Sequence, residues 1–151
     1  MDQDTTFMRA ALEEAKHAAQ NDEVPIGAVL VDPQTGEIIA RAGNRTRQLN
    51  DPSAHAEILC IRQACEKAGA QRIPDLDLYV TLEPCAMCAA AISFARLNRI
   101  IFGAPDPKGG GIIHGGQFYE QPTCHWKPQV SQGILAEECG QILKDFFKSR
   151  R

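Results

Sequence analysis

The sequence predicts an α/β fold in which helices cover both faces of a mixed central sheet, a three-layer α/β/α arrangement. Two observations indicate this fold. Segments with apolar residues at spacings of three and four alternate along the chain with short apolar runs that are typical of buried strands. Neither an internal repeat nor a linker interrupts this alternation, and 151 residues suit one core. We therefore expect a single domain over residues 1–151.

The N-terminal part of the chain predicts a helix followed by a β-hairpin. Apolar side chains between residues 5 and 19 recur at helical spacing, and Asp4 or Thr5 can cap this amphipathic helix. The continuous apolar run over residues 24–31 predicts a buried strand. A turn of Asp, Pro and Gly residues separates this strand from a second one over residues 38–42.

The next segment predicts a second helix and a third strand. The helix covers residues 54–68, with Ser53 as its cap and Gly69 as its stop signal. The apolar run over residues 78–82 predicts the third strand.

The C-terminal half predicts two more helices, one more strand and a long loop. Pro84 suits the first turn of a helix that continues to about residue 95, and residues 99–103 predict a fourth strand. Residues 105–128 are rich in Gly and Pro without clear periodicity, and loops of this length are usually functional. A final amphipathic helix is expected over residues 133–147.

Composition and charge favour a soluble cytoplasmic protein. No apolar run approaches the roughly 20 residues that a membrane span needs, and the acidic N-terminus does not resemble a secretory signal. Without such a signal, the six cysteines are expected to be reduced thiols. The formal net charge of −3 does not indicate a nucleic-acid binder, although residues 144–151 are locally basic.

Two short motifs supply one histidine, one carboxylate and two cysteines. His55-Ala56-Glu57 opens the second predicted helix, and Cys85 and Cys88 stand three apart at the start of the third. One imidazole and two thiolates suit Zn²⁺, which binds N and S ligands. Three protein ligands leave a fourth position for water, as in catalytic zinc sites. Glu57 is then the natural proton carrier, so the motifs predict hydrolytic chemistry.

Each of these residues also has a structural interpretation. Cys85 and Cys88 could be small core residues or a redox pair. His55 could be a satisfied helix-start residue, and Glu57 a carboxylate that the helix dipole stabilises. The combination favours the metal site. Because residues two apart diverge on a regular helix, His55 and Glu57 can serve one site only at the helix end.

The pattern H-x-E followed by P-C-x-x-C is the signature of zinc nucleobase deaminases. The chain resembles the bacterial tRNA-specific adenosine deaminases over residues 23–29, 43–45, 51–57, 78–85 and 133–151. This resemblance implies a cytidine deaminase-like fold and a homodimer with one zinc ion per subunit. It also implies conversion of adenosine to inosine at the wobble position of a tRNA anticodon stem-loop, where bases are splayed and single-stranded.

The same resemblance implies a set of substrate-binding residues: Asn44, Ile26, Val29, Ala56, Asp106, Lys108, Phe147 and Arg150. Asn44 matches the residue that hydrogen-bonds the purine, and Ile26 and Val29 lie in the segment that walls the base pocket. Asp106 matches an aspartate near the target ribose 2′-hydroxyl, with Lys108 as a phosphate contact. Phe147 and Arg150 lie on the tail that packs against the RNA. Structural alternatives are that Asn44 terminates a strand, Asp106 caps a turn and Phe147 belongs to the core.

The loop over residues 108–127 departs from the pattern of the better-known members, which leaves its tRNA contacts open. His114 in this loop could touch substrate. Cys124 and His125 could begin a second metal site, but no further ligands support it, so we favour loop packing.

Two other functions compete with tRNA deamination. A deaminase of a free base or nucleoside, such as guanine or cytosine, would share the same zinc motif. A zinc-stabilised binding module without catalysis would also share it. Glu57 argues against the binding module, because a structural zinc site has four protein ligands and no use for a carboxylate beside them.

Overall fold

The computed structural model describes residues 2–150, which form a five-stranded sheet with two helices on each face. The elements are α1 Gln3–Gln20, β1 Gly27–Asp32, β2 Glu37–Gly43, α2 Ala56–Ala68, β3 Asp77–Leu82, α3 Ala86–Phe94, β4 Arg99–Ala104, a single 3₁₀ turn Phe118–Glu120, β5 Gln129–Gln132 and α4 Ala136–Ser149. No helix within residues 2–150 has the length and apolarity that crossing a membrane requires.

The sheet is mixed, as the sequence predicts. Its strand order is β2-β1-β3-β4-β5. β1 pairs antiparallel with both β2 and β3, whereas β3, β4 and β5 run parallel. The carboxyl ends of β3 and β4 therefore meet at one edge of the sheet, where open α/β sheets place their ligand sites.

Two hydrophobic cores separate the three layers. The larger core lies between the sheet and the helices α2 and α3, and includes Leu30, Leu78, Ile92 and Phe102. The second core joins the other face of the sheet to α1 and α4. The alternation of side chains along β1 distributes its apolar residues to both cores, which explains why the strand is apolar on both faces as far as Val31. The α/β/α prediction is confirmed.

Several predicted boundaries were wrong at the helix starts. α1 is capped by Asp2, whose Oδ1 accepts from Asp4 N at 3.1 Å, and not by Asp4 or Thr5. Ser53 does not cap α2, because both its backbone N and its hydroxyl donate to Asp51 Oδ1. Pro84 precedes α3, which begins after Cys85.

At the C-terminal end, α4 begins at Ala136, three residues later than predicted. Gly133 and Leu135 adopt positive φ angles of 86° and 55°, which interrupt the helical conformation. β5, which pairs with β4, was not predicted. Gly69 was predicted correctly as the stop of α2, with a left-handed φ of 63°.

A polar network ties α1 to the sheet. Nη1 and Nη2 of Arg99 donate to the Asp4 carboxylate at 3.0 and 2.7 Å. The Tyr79 hydroxyl donates to the same carboxylate at 2.6 Å. The hydrogen bonds from Arg99 outweigh desolvation and hold the pKa of Asp4 below its ordinary value. The ionised carboxylate thus stabilises the folded chain.

We expect Asp4→Asn to lower the free energy of unfolding by about 1–2 kcal/mol at neutral pH, between the values for exposed and buried charged pairs. The pKa of Asp4 is lower in the folded than in the unfolded chain. Its stabilisation is therefore complete above the unfolded value and is lost as the pH falls through the folded one. Urea titrations at neutral and acidic pH should show the difference between wild type and variant shrinking in acid. An equal difference at both pH values would contradict this assignment.

Candidate metal and active site

The starts of α2 and α3 bring the three predicted metal ligands together. His55 immediately precedes α2, Cys85 immediately precedes α3, and Cys88 lies in the first turn of α3. His55 Nδ1 is 3.6 Å from Cys85 Sγ and 3.4 Å from Cys88 Sγ. All three ligand atoms lie within 4.8 Å of one another, and no other such cluster occurs within residues 2–150. One nitrogen and two sulfurs at this separation suit a metal site.

His55 lies outside α2, so the rule that side chains two residues apart point in different directions on a helix does not apply to His55 and Glu57. His55 has an extended backbone conformation, with φ −74° and ψ 155°, whereas Glu57 lies in the first turn of α2. Both side chains can therefore reach one site. The positive ends of the α2 and α3 dipoles point at the cluster and favour negative charge there.

The two cysteines titrate differently. Hydrogen bonds from the Cys88 thiol and from His55 lower the pKa of Cys85 to about 4. The same bond to Cys85, together with burial, raises the pKa of Cys88. Cys85 is therefore the thiolate of the pair, and Cys88 keeps its proton until a cation compensates a second negative charge.

Glu57 is the buried carboxyl group of the site. Glu57 is 3% exposed, and its carboxyl group hydrogen-bonds with Cys88, one of the three candidate metal ligands. Burial is the main cause that raises the pKa of Glu57 to about 7. A carboxyl group that takes up and releases protons near neutrality is suited to general acid–base catalysis.

Asn44 connects the end of β2 to this site. It is buried, and its Oδ1 accepts from the backbone N of Ala56 at 2.8 Å, directly between His55 and Glu57. Its own backbone N donates to Ile26 O at 3.1 Å. Asn44 therefore orients the helix start beside His55, and no hydrogen bond from its amide N–H donors to another group occurs within residues 2–150.

The other predicted substrate contacts lie in three different environments. Val29 is fully buried in the core beneath α1 and α4, so it lies on the opposite face of the sheet from the metal cluster and does not wall a pocket there. Ile26, in contrast, packs half-buried against the core on the side of the cluster. The error has a physical cause: a strand that is apolar on both faces does not reveal which side chains face the site.

Asp106 and Lys108 follow β4. Asp106 Oδ1 accepts from the backbone N of Lys108 and of Gly109, at 3.2 and 3.0 Å, so Asp106 does cap a turn. Lys108 is exposed.

The C-terminal tail, residues 147–150, is exposed and basic. Phe147 is 50% exposed, which excludes a role as core residue. The Arg150 guanidinium lies 4.0 Å from the centroid of the Phe146 ring and pairs with Asp22 after α1. The tail thus presents an aromatic ring and a cation on the outside of α4.

Sequence reasoning missed Glu83, a carboxylate that is 2% exposed between β3 and the metal ligands. Burial alone would raise its pKa, but hydrogen bonds from Asp106, His114 and Ile113 hold the pKa of Glu83 below its ordinary value. The His114 ring contacts Glu83 at 2.8 Å. The only signal in the sequence was a charged residue directly after an apolar strand.

Cys124 packs in the loop, as predicted. Its thiol lies 3.7 Å from Ser93 Oγ and donates to Trp126 O at 3.2 Å.

Comparison with known proteins agrees with this geometry. The MafB19-like deaminase family model matches residues 1–151. The chain is 58% identical to a tRNA-specific adenosine deaminase of Agrobacterium fabrum over 147 residues, which covers 97% of this chain and 95% of the relative. A solved structure from studies of A-to-I editing by tRNA:A34 deaminases is 60% identical, with a TM-score of 0.89 over 92% of this chain and 99% of that one.

A guanine deaminase from Nitrosomonas europaea is only 19% identical, and its TM-score of 0.78 over 94% of this chain and 83% of that chain shows a shared fold alone. The high identity to the adenosine deaminases extends over nearly the full length of both proteins. The chain therefore belongs to the tRNA-specific adenosine deaminase family.

Proposed function

We propose that this chain is a zinc-dependent deaminase that converts adenosine to inosine at the wobble position of a tRNA anticodon. The observation that carries the chemistry is the buried Glu57 carboxyl group beside a cluster of three metal ligands. The substrate is supported by the relatives, which are tRNA-specific adenosine deaminases.

His55 Nδ1, Cys85 Sγ and Cys88 Sγ would hold the zinc ion, one per subunit. Zinc bound there supplies the Lewis acidity that makes water a nucleophile near neutral pH. Glu57 takes the proton of that water and delivers it to N1 of adenine as oxygen adds to C6. Glu57 then takes the remaining hydroxyl proton from the oxygen on C6 and delivers it to N6 as the C6–N6 bond breaks and the C6=O bond forms, which leaves inosine and releases ammonia.

The remaining residues would bind the RNA. The free N–H donors of the Asn44 amide suit the ring acceptors of a purine, and Ile26 and Ala56 border the same helix start. Asp106 Oδ1 is occupied in its turn, which leaves Oδ2 for a ribose hydroxyl. Lys108 and Arg150 supply cations for phosphates, and Phe147 a ring for stacking.

Deleting residues 147–151 should reduce kcat/KM for tRNA by at least about tenfold, because it removes one exposed ring and the three cations Lys148, Arg150 and Arg151. Arg151 lies outside the described residues. Zinc content should stay equimolar with protein, since no metal ligand is affected. Deamination of a wobble-position A with unchanged kcat/KM would refute the tail as an RNA contact.

The homodimer is supported by the outer face of α3. Met87, Ala90, Ala91 and Phe94 lie at helical spacing on this face, which carries no charge, and Phe94 is 69% exposed. A second copy of this chain would cover this face. In a two-fold symmetric dimer, the same surface patch of each subunit forms the interface.

We expect Phe94→Asp to weaken the dimer by roughly 30- to 1,000-fold, the effect of losing a buried aromatic anchor at an interface. Sedimentation equilibrium of both proteins measures the dissociation constant. Phe147→Asp is the matched control, because Phe147 is also exposed but lies on α4. A dimer constant unchanged by Phe94→Asp, or raised equally by both substitutions, would exclude this face.

Substrate choice is tested with a panel of tRNA bearing A at the wobble position, free adenosine, guanine and cytosine, with ammonia release measured for each. The shared fold makes deamination of a free base the second candidate. Activity on tRNA alone supports the proposal, and activity on guanine or cytosine alone would replace it. An enzyme acting on tRNA is expected in the cytoplasm.

A further inference from the structure

Glu83 has no part in the proton transfers of the proposed reaction, yet it is one of the most buried charged residues of the chain. It directly follows β3 and stands two residues before the ligand Cys85. Its Oε1 accepts from Asp106 N at 3.0 Å and contacts His114 Nδ1 at 2.8 Å. Its Oε2 accepts from the backbone N of Ile112, Ile113 and His114, at 3.1, 2.9 and 3.1 Å.

All five contacts of the Glu83 carboxylate thus come from residues 106–114, the segment that follows β4. Four are backbone N–H groups, so the carboxylate fixes the path of the loop and not only one side chain. A buried carboxylate has four lone-pair positions, and this one is saturated. Charge-assisted hydrogen bonds of this kind are the stronger ones in proteins.

The same loop presses against the backbone that carries the metal ligands. Gly111 N donates to Pro84 O at 2.8 Å. A Cβ atom added at Gly111 would lie 2.7 Å from Ala86 N, and one added at Gly110 would lie 2.4 Å from the Glu83 carboxylate. Only glycine allows approaches this close. The turn over residues 84–86 is therefore held between the end of β3 and the loop.

We propose that Glu83 is a positioning residue that holds the loop over residues 106–114 against the turn over residues 84–86 at the start of α3, and thereby fixes Cys85 and Cys88 for metal binding. The proposal rests on the metal site of the proposed function. We call the Glu83 carboxylate and its five contacts the clamp. His114 is the side-chain partner of Glu83 in this clamp, whereas the sequence suggested that His114 contacts substrate. Groups that orient metal ligands from outside the coordination sphere typically change metal affinity by about 10- to 100-fold when removed.

The test is the rate of zinc transfer from the folded holoprotein to a colorimetric chelator, below the melting temperature of every variant. Glu83→Gln keeps the size of the side chain but turns an N–H₂ donor toward backbone N–H groups. We expect it to release zinc about 10- to 100-fold faster than wild type. His114→Ala removes one of the five contacts and should give a smaller acceleration. Gly110→Ala should behave like Glu83→Gln, because its Cβ displaces the carboxylate.

Asp4→Asn is the control for general destabilisation, because Asp4 is a partly buried carboxylate bonded to β3 and β4 on the other face of the sheet. It should lower stability and leave zinc release unchanged. Equal release from wild type, Glu83→Gln and Gly110→Ala would overturn the clamp, as would equal acceleration by Asp4→Asn.

If Glu83→Gln does not fold, the rates of zinc release from Gly110→Ala and His114→Ala test the clamp in the same assay. Wild-type protein that binds no zinc would refute the proposed metal site itself, and with it the clamp. Wild-type protein that holds zinc while all three loop variants hold it equally well would refute the clamp alone.

Discussion

Replacing Glu57 by Gln should reduce kcat for deamination by at least about 10³-fold while the metal stays bound, because general acid–base catalysis by one group contributes roughly 10²- to 10⁴-fold and Glu57 serves more than one proton transfer. The amide has nearly the same size as the carboxyl group, so the buried position remains filled. It can neither accept a proton from water nor return one to the leaving nitrogen. Inosine formation under single-turnover conditions and metal content of the same sample measure both effects.

The control for Glu57→Gln is Asp4→Asn, which changes a carboxylate on the opposite side of the sheet and should keep kcat within about twofold, since distant sites act independently. Appreciable inosine formation by Glu57→Gln would refute the role assigned to Glu57. Full activity loss together with loss of the metal would show that Glu57 supports the metal site instead. The same experiment excludes a binding module without catalysis if the wild type turns over.

Replacing Cys88 by Ser should remove the metal and all turnover. Cys88 is fully buried and one of the three metal ligands proposed within residues 2–150, and a hydroxyl group is a poor substitute for a thiolate. We expect metal content to fall from one ion per chain to less than about a tenth, since the loss of one ligand of three far exceeds an outer-sphere change. Atomic absorption on protein dialysed without added zinc gives the number directly.

Cys60→Ser is the matched control for Cys88→Ser. Cys60 is also fully buried on this side of the sheet, but its thiol donates to Ala28 O at 3.3 Å, a bond that a serine hydroxyl can replace. The control should retain one metal ion per chain. Equimolar metal in Cys88→Ser would contradict the ligand set, and metal loss in both variants would point to packing instead.

The candidate site could be predicted from the sequence because local structure arranges its residues. His55 and Glu57 share one helix start and Cys85 and Cys88 another, so short spacings determine their geometry. The α/β/α arrangement could likewise be predicted, because the periodicity of apolar residues distinguishes helices from strands along the chain.

Features that depend on distant contacts could not be predicted. Glu83 is satisfied by backbone groups 23 to 31 residues further along the chain, and nothing in the local pattern indicates those partners. β5 consists of four mostly exposed residues, Gln129–Gln132, without an apolar alternation, and forms because β4 offers an edge to pair with. Val29 was assigned to the wrong face because β1 is buried on both sides.

The proposed activity of this cluster is deamination of adenosine within a tRNA anticodon. The most direct measurement is incubation of the purified zinc-loaded chain with a tRNA that bears A at the wobble position, followed by reverse transcription and sequencing. We expect this single A to read as G while every other A is unchanged, and Glu57→Gln to abolish the conversion. A wobble-position A that stays unconverted, while guanine or cytosine releases ammonia under the same conditions, would contradict it.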